Sequence, residues 1–300
     1  MNFPAIAVAF FAVSASALSQ QLVVTAQGRH DALAPEVLKD QVSAVVDRRP
    51  AQVEAWVPLR GDRASLELYI VIDDGDDSNL GTEFSNLKSF ILEQPATTRI
   101  GLAYLRNGSV NIVARLTAAH EEVARAIRLP LGQPGISASP YMGISDLVKK
   151  WPASDTRHGD TRREVLLISS GIDPWSPVDP QNPYLLQAIN DAQRAGILVH
   201  SIYYAEAGRL GRNSWSVNWG ENYLSELGEA TGGEAYWQGL HSPVSFAPYL
   251  RDLARRLQSQ YLVTLIPQDK RSGLTPVRVT TSEPGVSLMA ASRMNVQTGQ

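Results

Sequence analysis

Four aspartates within five positions form the segment of this chain with the clearest capacity for chemistry. They follow an apolar run at 66–72 and precede residues with helical spacing, in the order Asp73, Asp74, Gly75, Asp76, Asp77, Ser78. A strand, an acidic turn and a helix place several anionic oxygens at the carboxyl edge of a sheet, where open α/β folds bind ligands. The alternative is local, because Asp and Ser at a helix start satisfy free N–H groups. It applies best to Asp77 and Ser78.

Side chains that often carry catalysis are missing or scattered. The chain has no cysteine, and its five histidines lack the spacing of metal ligands. We expect His200, inside an apolar run, to be a packed or hydrogen-bonded core residue. Neither a Gly-x-Ser-x-Gly elbow nor a Gly-rich phosphate loop occurs. The sequence therefore favours a non-enzymatic protein.

Two predicted loops, at 171–184 and 206–222, should emerge beside the aspartates. Trp, Tyr and Arg in loops rich in Pro or Gly are typical anchors of protein interfaces. The alternative is a purely structural subunit, in which the rings of Trp175, Trp215 and Trp219 would be buried. The predicted partner-binding residues are Asp77, Tyr141, Trp175, Arg212, Trp215 and Trp219.

The elements that must position these residues alternate between strand and helix. Strands are predicted at 66–72, 99–105, 110–116, 164–169, 197–204, 234–237 and 261–266, with helices at 81–94, 118–128, 141–150, 184–195, 221–230 and 245–259. This order predicts an α/β fold with a mostly parallel, Rossmann-like central sheet and helices on both faces. Short strand-like runs within 21–60 and 274–290 predict a small β-rich satellite formed by the two ends of the chain.

Composition narrows the class of partner and the location. The apolar content of 44% suffices for a core, and a net charge of −3 without a basic patch argues against nucleic acid. The apolar run Phe3 to Ala17 resembles a secretory signal peptide that ends near residue 20, although no Lys or Arg precedes it. It is short for a membrane span. We therefore expect a periplasmic or secreted protein that does not span a membrane.

Several segments together resemble a von Willebrand factor type A (VWA) domain, particularly its exported bacterial variety with short β regions on either side. The resemblance covers about residues 60–266. Its carriers are the strand and acidic turn at 69–78, the helix with Phe84 and Leu87, and the segments 165–173, 195–202 and 229–233. It implies four parts: a signal peptide at 1–20, an N-terminal β segment at 21–60, a VWA-like domain at 61–266, and a C-terminal β segment and tail at 267–300.

The resemblance also implies a metal-ion-dependent adhesion site, in a degenerate form. In the family, Asp-x-Ser-x-Ser, a later Thr and a Thr-Asp-Gly hold a divalent cation, whose open position takes a carboxylate of the partner. Matching those positions here gives Asp74, Asp76, Ser78, Ser139, Ser170 and Asp173. Reading instead from Asp73 puts Gly75 and Asp77 at the hydroxyl positions. Both a site without metal and a site for Mg²⁺ or Ca²⁺ stay open.

The function implied is a protein- or peptide-binding module that uses the loops at the carboxyl edge of the sheet. An alternative comes from another class, because Asp74-x-Asp76-x-Ser78 after a strand also resembles the opening motif of haloacid-dehalogenase-type phosphatases. There Asp74 would be the nucleophile and Asp76 a general acid, with Mg²⁺ on the phosphate. No acidic pair follows the strand at 197–204, which weakens this alternative.

Overall fold

The chain forms two β-sheets, one mostly parallel and one antiparallel. The computed structural model describes residues 19–29, 33–152, 161–176, 179–239, 241–268 and 272–297. Residues 1–18, which hold nearly all of the predicted signal peptide, lie outside that set. None of the helices in the described part is both long enough and apolar enough to cross a membrane.

The strands and helices of these residues have the following bounds. The strands are β1 (Gln20–Gly28), β2 (Val42–Val46), β3 (Arg49–Pro58), β4 (Leu66–Asp73), β5 (Thr98–Arg106), β6 (Ser109–Thr117), β7 (Arg162–Ser169), β8 (Ile197–Tyr203), β9 (Ala235–Tyr236), β10 (Gln260–Ile266), β11 (Gly273–Thr281), β12 (Val286–Ala290) and β13 (Arg293–Val296). The helices are α1 (Phe84–Leu92), α2 (His120–Arg125), α3 (Pro140–Lys150), α4 (Pro183–Ala195), α5 (Ser214–Thr231) and α6 (Ala247–Gln258).

The first sheet has six strands in the order β6-β5-β4-β7-β8-β9, and only β6 runs antiparallel to its neighbour. All eight residues of β4 are buried, because helices cover both faces of the sheet. Leu68 and Ile70 pack towards α1, α2 and α6, whereas Tyr69 and Val71 pack towards α3, α4 and α5. The predicted α/β class, with a largely parallel central sheet and helices on both faces, is confirmed.

The second sheet is antiparallel and joins the two ends of the chain. Its seven strands have the order β12-β1-β10-β3-β2-β11-β13, so strands of the N-terminal segment pair with β10, β11 and β12. The predicted satellite therefore exists, but it has more strands than the α/β sheet and is not small. It encloses a core of its own, which includes Val24, Tyr261 and Val263.

One strand belongs to a different sheet from the one predicted. We expected 261–266 to end the α/β unit, but β10 pairs with β1 and β3 in the antiparallel sheet. The strand predicted to end the α/β unit therefore belongs to the antiparallel sheet. An apolar run does not reveal the sheet to which it belongs: Tyr261 and Val263 fill the antiparallel core, while Leu262 packs against Leu198 of β8.

Helix α5 begins seven residues earlier than predicted, at Ser214 instead of 221. Asn213 starts it, since its side chain accepts from the backbone N–H groups of Trp215 and Ser216 at 3.0 and 3.5 Å. Gly220, which lies in the segment predicted to be a loop, lets the helix pack closely against Ser170. A β-carbon at Gly220 would lie 2.2 Å from the carbonyl oxygen of Ser170. Trp215 and Trp219 therefore lie on a helix and not in a loop.

A buried arginine connects the two sheets. Arg162, at the start of β7, donates from Nη1 to the carbonyl of Leu257 at 2.6 Å and to the side chain of Gln260. Its Nη2 donates to the carbonyl of Ala64 at 3.0 Å. Two of these acceptors lie at the end of α6 and the start of β10, so this guanidinium fixes the antiparallel sheet against the α/β sheet.

We predict that Arg162→Met lowers the free energy of unfolding by about 3–5 kcal/mol, because buried acceptors lose a charged donor. The matched control is Arg194→Met, which removes an exposed arginine 3.7 Å from Asp191 and should cost less than about 1 kcal/mol. Urea denaturation of both variants measures the difference. Equal losses in the two variants would contradict the role of Arg162.

Candidate functional site

The acidic loop, residues 73–78, lies where the strand order of the α/β sheet reverses. β4 begins the sheet in chain order, with β5 on one side and β7 on the other. Loops that leave β4 and β7 in opposite directions open a crevice at the carboxyl edge, and this is where doubly wound sheets bind ligands. Asp73 ends β4 and Ser169 ends β7, so both stand at this point.

Asp73 is a buried carboxylate held by neutral donors. Its Oδ1 accepts from the backbone N–H of Gly75 at 2.8 Å, and its Oδ2 accepts from the hydroxyl of Ser169 at 2.9 Å. Burial raises the pKa of Asp73 to about 6, and the hydrogen bonds from Gly75 and Ser169 limit the rise. The carboxylate at the point where the strand order reverses is thus Asp73, and the serine that donates to it is Ser169 rather than Ser170.

Asp74 has a different role from the one predicted. Its two oxygens accept from Nη1 and Nη2 of Arg128 at 2.6 and 2.9 Å, which is a bidentate ion pair. The guanidinium lies 3.7 Å from the centre of the Tyr104 ring. The hydrogen bond to Asp74 raises the pKa of Arg128. Both oxygens of the buried Asp74 are thus engaged by the guanidinium of Arg128.

A second loop covers the acidic loop. We call residues 204–213 the closing loop. The N–H of Asp77 donates to the carbonyl of Ala205, and the N–H of Ala207 donates to that of Gly75, both at 3.0 Å. These bonds form an antiparallel bridge between Asp76 and Glu206. The bridge removes Asp76 from solvent completely, since its exposed fraction is 0%.

Asp76 and Glu206 are two buried carboxyls on opposite sides of this bridge. By strict geometry, neither oxygen of Asp76, nor Oε2 of Glu206, has a hydrogen-bond partner among the described residues, although the backbone of Ser170 lies close enough to favour the charged form of Asp76. Burial, followed by the charges of Asp73 and Glu206, raises the pKa of Asp76 well above its ordinary value. Burial likewise raises the pKa of Glu206 to about 7. Burial therefore favours the protonated form of both carboxyls.

A third loop completes the enclosure. The N–H of Gly135 donates to Oε1 of Glu206 at 2.5 Å, and the N–H of Gly132 donates to the carbonyl of Asp74 at 3.0 Å. Gly211 lies against the backbone of Glu206, where a β-carbon would be 1.9 Å from the carbonyl oxygen. Backbone contacts thus hold three loops together around the carboxylates.

Two further predicted ligands, Ser139 and Asp173, are hydrogen-bonded to each other. Ser139 begins α3 and donates from its hydroxyl to Oδ2 of Asp173 at 2.8 Å. The same oxygen accepts from the amide of Asn182 at 3.1 Å, and Oδ1 accepts from the N–H of Trp175 at 2.9 Å. Asp173 is therefore fully hydrogen-bonded, and it shapes the turn that carries Trp175.

The remaining predicted ligands act in local turns. The hydroxyl of Ser170 accepts from the N–H of Ile172 at 3.3 Å. Asp77 accepts from the N–H of Asn79 at 2.9 Å and begins a 3-10 helix at Ser78, whose side chain is exposed. Helix capping, the alternative for this segment, is thus the role of Asp77.

The predicted metal ligands take part in several separate contacts. Asp74 pairs with Arg128, Ser139 pairs with Asp173, and Ser78 is exposed. Among the described residues, no three His, Asp or Glu side chains are arranged to hold a metal ion. A cation site that also uses serine hydroxyls stays a prediction.

The predicted partner-binding residues separate into exposed and buried groups. Trp175 and Trp215 are 61% and 62% exposed, and Arg212 is also exposed. Trp219 is half-buried, at 5.4 Å between ring centres from Tyr223. Tyr141 is fully buried and donates to the carbonyl of Gly171 at 2.7 Å, so it cannot contact a partner.

Sequence reasoning missed the residues that close the site. Arg128 and Ser169 were absent from the predicted set, and Glu206 was treated only as the start of a loop. Glu206 carried a usable signal, because it follows β8 at the same edge of the sheet as the aspartates. Tyr203 and Glu221 also place a buried oxygen without a partner in the described part of the chain. Burial raises the pKa of Glu221 to about 7.

Comparison with known proteins gives limited likeness. No protein-family model and no curated protein matches the chain. Among solved structures it is similar to an aerotolerance-related membrane protein from Bacteroides fragilis, with 10% identity and a TM-score of 0.46 over 64% of this chain and 98% of that one. BatB from Bacteroides thetaiotaomicron gives 10% and 0.42 over 65% and 100%. The SpRpn10 VWA domain gives 12% and 0.38 over 63% and 93%. At TM-scores below 0.5, these likenesses assign neither family nor function.

We predict that stability falls as pH rises, and that Glu206→Gln removes part of this fall. A carboxyl whose folded pKa is raised from 4.5 to about 7 stabilises the fold fully below pH 4.5, and this contribution is lost as pH rises to about 7. For Glu206 the loss is about 3 kcal/mol. The glutamine still offers Oε1 to Gly135.

Thermal unfolding of wild type, Glu206→Gln and the exposed control Glu36→Gln between pH 4.5 and 8 measures this dependence. The control should keep the wild-type slope. An unchanged slope in Glu206→Gln would mean that Glu206 is ionised in the folded protein.

Proposed function

We propose that this chain is a non-enzymatic, VWA-like module that binds a protein or peptide through the loops at the carboxyl edge of its α/β sheet. The exposure of Trp175 and Trp215 at this edge is the observation that carries the proposal. Large rings in solvent are costly for a structural subunit, whereas they are the usual anchors of interfaces. The purely structural alternative requires both rings to be buried, which they are not.

The surroundings of the two rings support binding by a preformed surface. The Asx turn of Asp173 holds the backbone before Trp175, and Tyr184 contacts the Trp175 ring at 6.1 Å between centres. Asn213 fixes the first turn of α5, which carries Trp215. Anchors on ordered elements lose little freedom when they bind.

The buried acidic loop supports recognition without a metal and without catalysis. Asp74, the nucleophile that the phosphatase alternative requires, is paired with Arg128 through both oxygens. Asp76 is covered by the closing loop, so a carboxylate from a partner has no path to a cation beside it. The partner therefore meets the outer surface of the loops rather than the carboxylates beneath them.

Export to the periplasm or outside the cell completes the proposal. It is supported by the apolar run of the N-terminal residues, which resembles a secretory signal peptide.

We predict that the double variant Trp175→Ala/Trp215→Ala loses its partner while it keeps its fold. The immobilised protein should retain a specific protein from an extract of the producing cells, and the double variant should bind it at least ~30-fold more weakly. Leu92→Ala is the matched control, since Leu92 is 50% exposed at the end of α1, near the opposite edge of the sheet. EDTA should leave the retained amount unchanged.

Affinities of the retained protein for each variant, with circular dichroism as the check on folding, give the answer. Equal binding by wild type and the double variant would exclude this edge as the binding surface. Loss of binding in EDTA would show that binding of the partner requires a divalent cation.

A further inference from the structure

Five carboxylates at the acidic edge of this fold are withdrawn from solvent in four ways, whereas Asp77 and Asp179 are only half-buried. Asp73 is bound to Ser169, Asp74 to Arg128 and Asp173 to Ser139 and Asn182, whereas Asp76 and Glu206 lie under the closing loop. A partner at this edge therefore does not contact most of the carboxylates that are prominent in its sequence.

The closing loop and the start of α5 carry exposed cationic and aromatic side chains. Arg209 and Arg212 are exposed on the closing loop, and within the described part of the chain neither guanidinium has a salt-bridge partner. The hydrogen bond from the N–H of Arg212 to the carbonyl of Arg209, at 3.2 Å, holds the two residues in one turn. Trp215 follows directly in the first turn of α5.

The second exposed ring, Trp175, lies in the loop that leaves β7 at the same edge of the sheet. Gly220 of α5 packs against Gly171, because a β-carbon on Gly171 would lie 2.4 Å from the carbonyl of Gly220. Tyr223 accepts from the N–H of Asp179 at 2.9 Å, so the loop that carries Trp175 runs along α5. Trp215 precedes Gly220 by five residues, which is roughly 8 Å along the helix axis.

We infer that this surface, Arg209, Arg212, Trp215 and Trp175, binds an acidic segment of a partner protein that also carries apolar or aromatic side chains. Guanidinium groups without a salt-bridge partner donate two hydrogen bonds to a carboxylate in bidentate geometry, and the tryptophans supply the apolar contact. Arginine charge then takes the place that a bound cation would hold in recognition of a carboxylate. The inference rests on the proposed function and adds the chemical class of the partner.

Two fluorescein-labelled peptides of equal length test the inference with the full chain. One alternates Glu with Phe and Leu, and the other has Gln at every Glu position. We expect the acidic peptide to bind at least tenfold more tightly than its neutral counterpart in fluorescence anisotropy. We also expect its affinity to fall as salt rises from about 0.05 to 0.5 M.

Charge reversal identifies the residues. Arg209→Glu/Arg212→Glu should weaken binding of the acidic peptide at least tenfold. The control Arg63→Glu/Arg278→Glu makes the same change in net charge at exposed positions, before β4 and on β11, and should leave the affinity within twofold. Trp215→Ala should weaken both peptides.

The outcomes separate the inference from the proposed function. Equal affinity for the two peptides, no binding of the acidic peptide at millimolar concentration, or equal effects of the two double reversals would each overturn the inference. If the retained cellular partner depends on Trp175 and Trp215 but not on Arg209 and Arg212, the proposed function stands and the acidic partner is excluded. If it depends on none of the four, both fail.

Discussion

The antiparallel bridge between Asp76 and Glu206 is the contact on which the character of this edge depends. Two backbone hydrogen bonds bring the closing loop over the acidic loop and take two carboxylates out of water. Burial of unpaired charge is far more costly than a hydrogen bond is favourable, so the fold tolerates this arrangement only if the carboxyls remain protonated. The raised pKa values of Asp76 and Glu206 are the direct result.

The cost of burying Asp73, Asp74 and Asp173 at this edge is offset by different partners. Asp74 has a bidentate arginine, Asp73 has a hydroxyl and a backbone N–H, and Asp173 has a serine, an asparagine and the amides of its own turn. Only Asp74 is neutralised by an opposite charge. The others take part in turns and caps that hold the loops, so the acidic residues build the platform and do not form its outer surface.

The strand order of the α/β sheet determines where these loops lie. The strand order puts β4 and β7 at the reversal of the α/β sheet, and loops that leave in opposite directions need a structure to join them. Here the closing loop and the loop around Gly135 provide it. The antiparallel sheet contributes at a distance, because Arg162 and β10 fix the opposite edge of β7 and leave the carboxyl edge free.

Local signals in the sequence predicted most elements, and their failures have physical causes. The alternation of strands and helices predicted the α/β sheet, including neighbouring strands at 99–105 and 110–116. These form the β5–β6 hairpin, in whose turn Asn107 and Gly108 both have positive φ. Partners distant in sequence were not predictable: β10 is apolar for either sheet, and Arg128 meets Asp74 only because α2 returns towards the acidic loop.

The sequence showed which acidic residues lie near the end of β4, but not what each of them contacts. Four aspartates within five positions suggested ligands, whereas a sequence does not show which carboxylates a later loop will cover. Trp175, Trp215 and Arg212 were predicted from type and context alone, and these are exposed. Tyr141 had the same composition signal but lies in the core, because α3 places it under Gly171.

Carboxyl ¹³C NMR of protein labelled in its Asp and Glu side chains measures the central claim most directly. The account predicts that Glu206 titrates near pH 7 and that Asp76 stays protonated well above the ordinary range of an aspartate. Titration of both carboxyls near pH 4, the ordinary value, would show that they are exposed or paired with a cation. That result would contradict the closed edge on which the account rests.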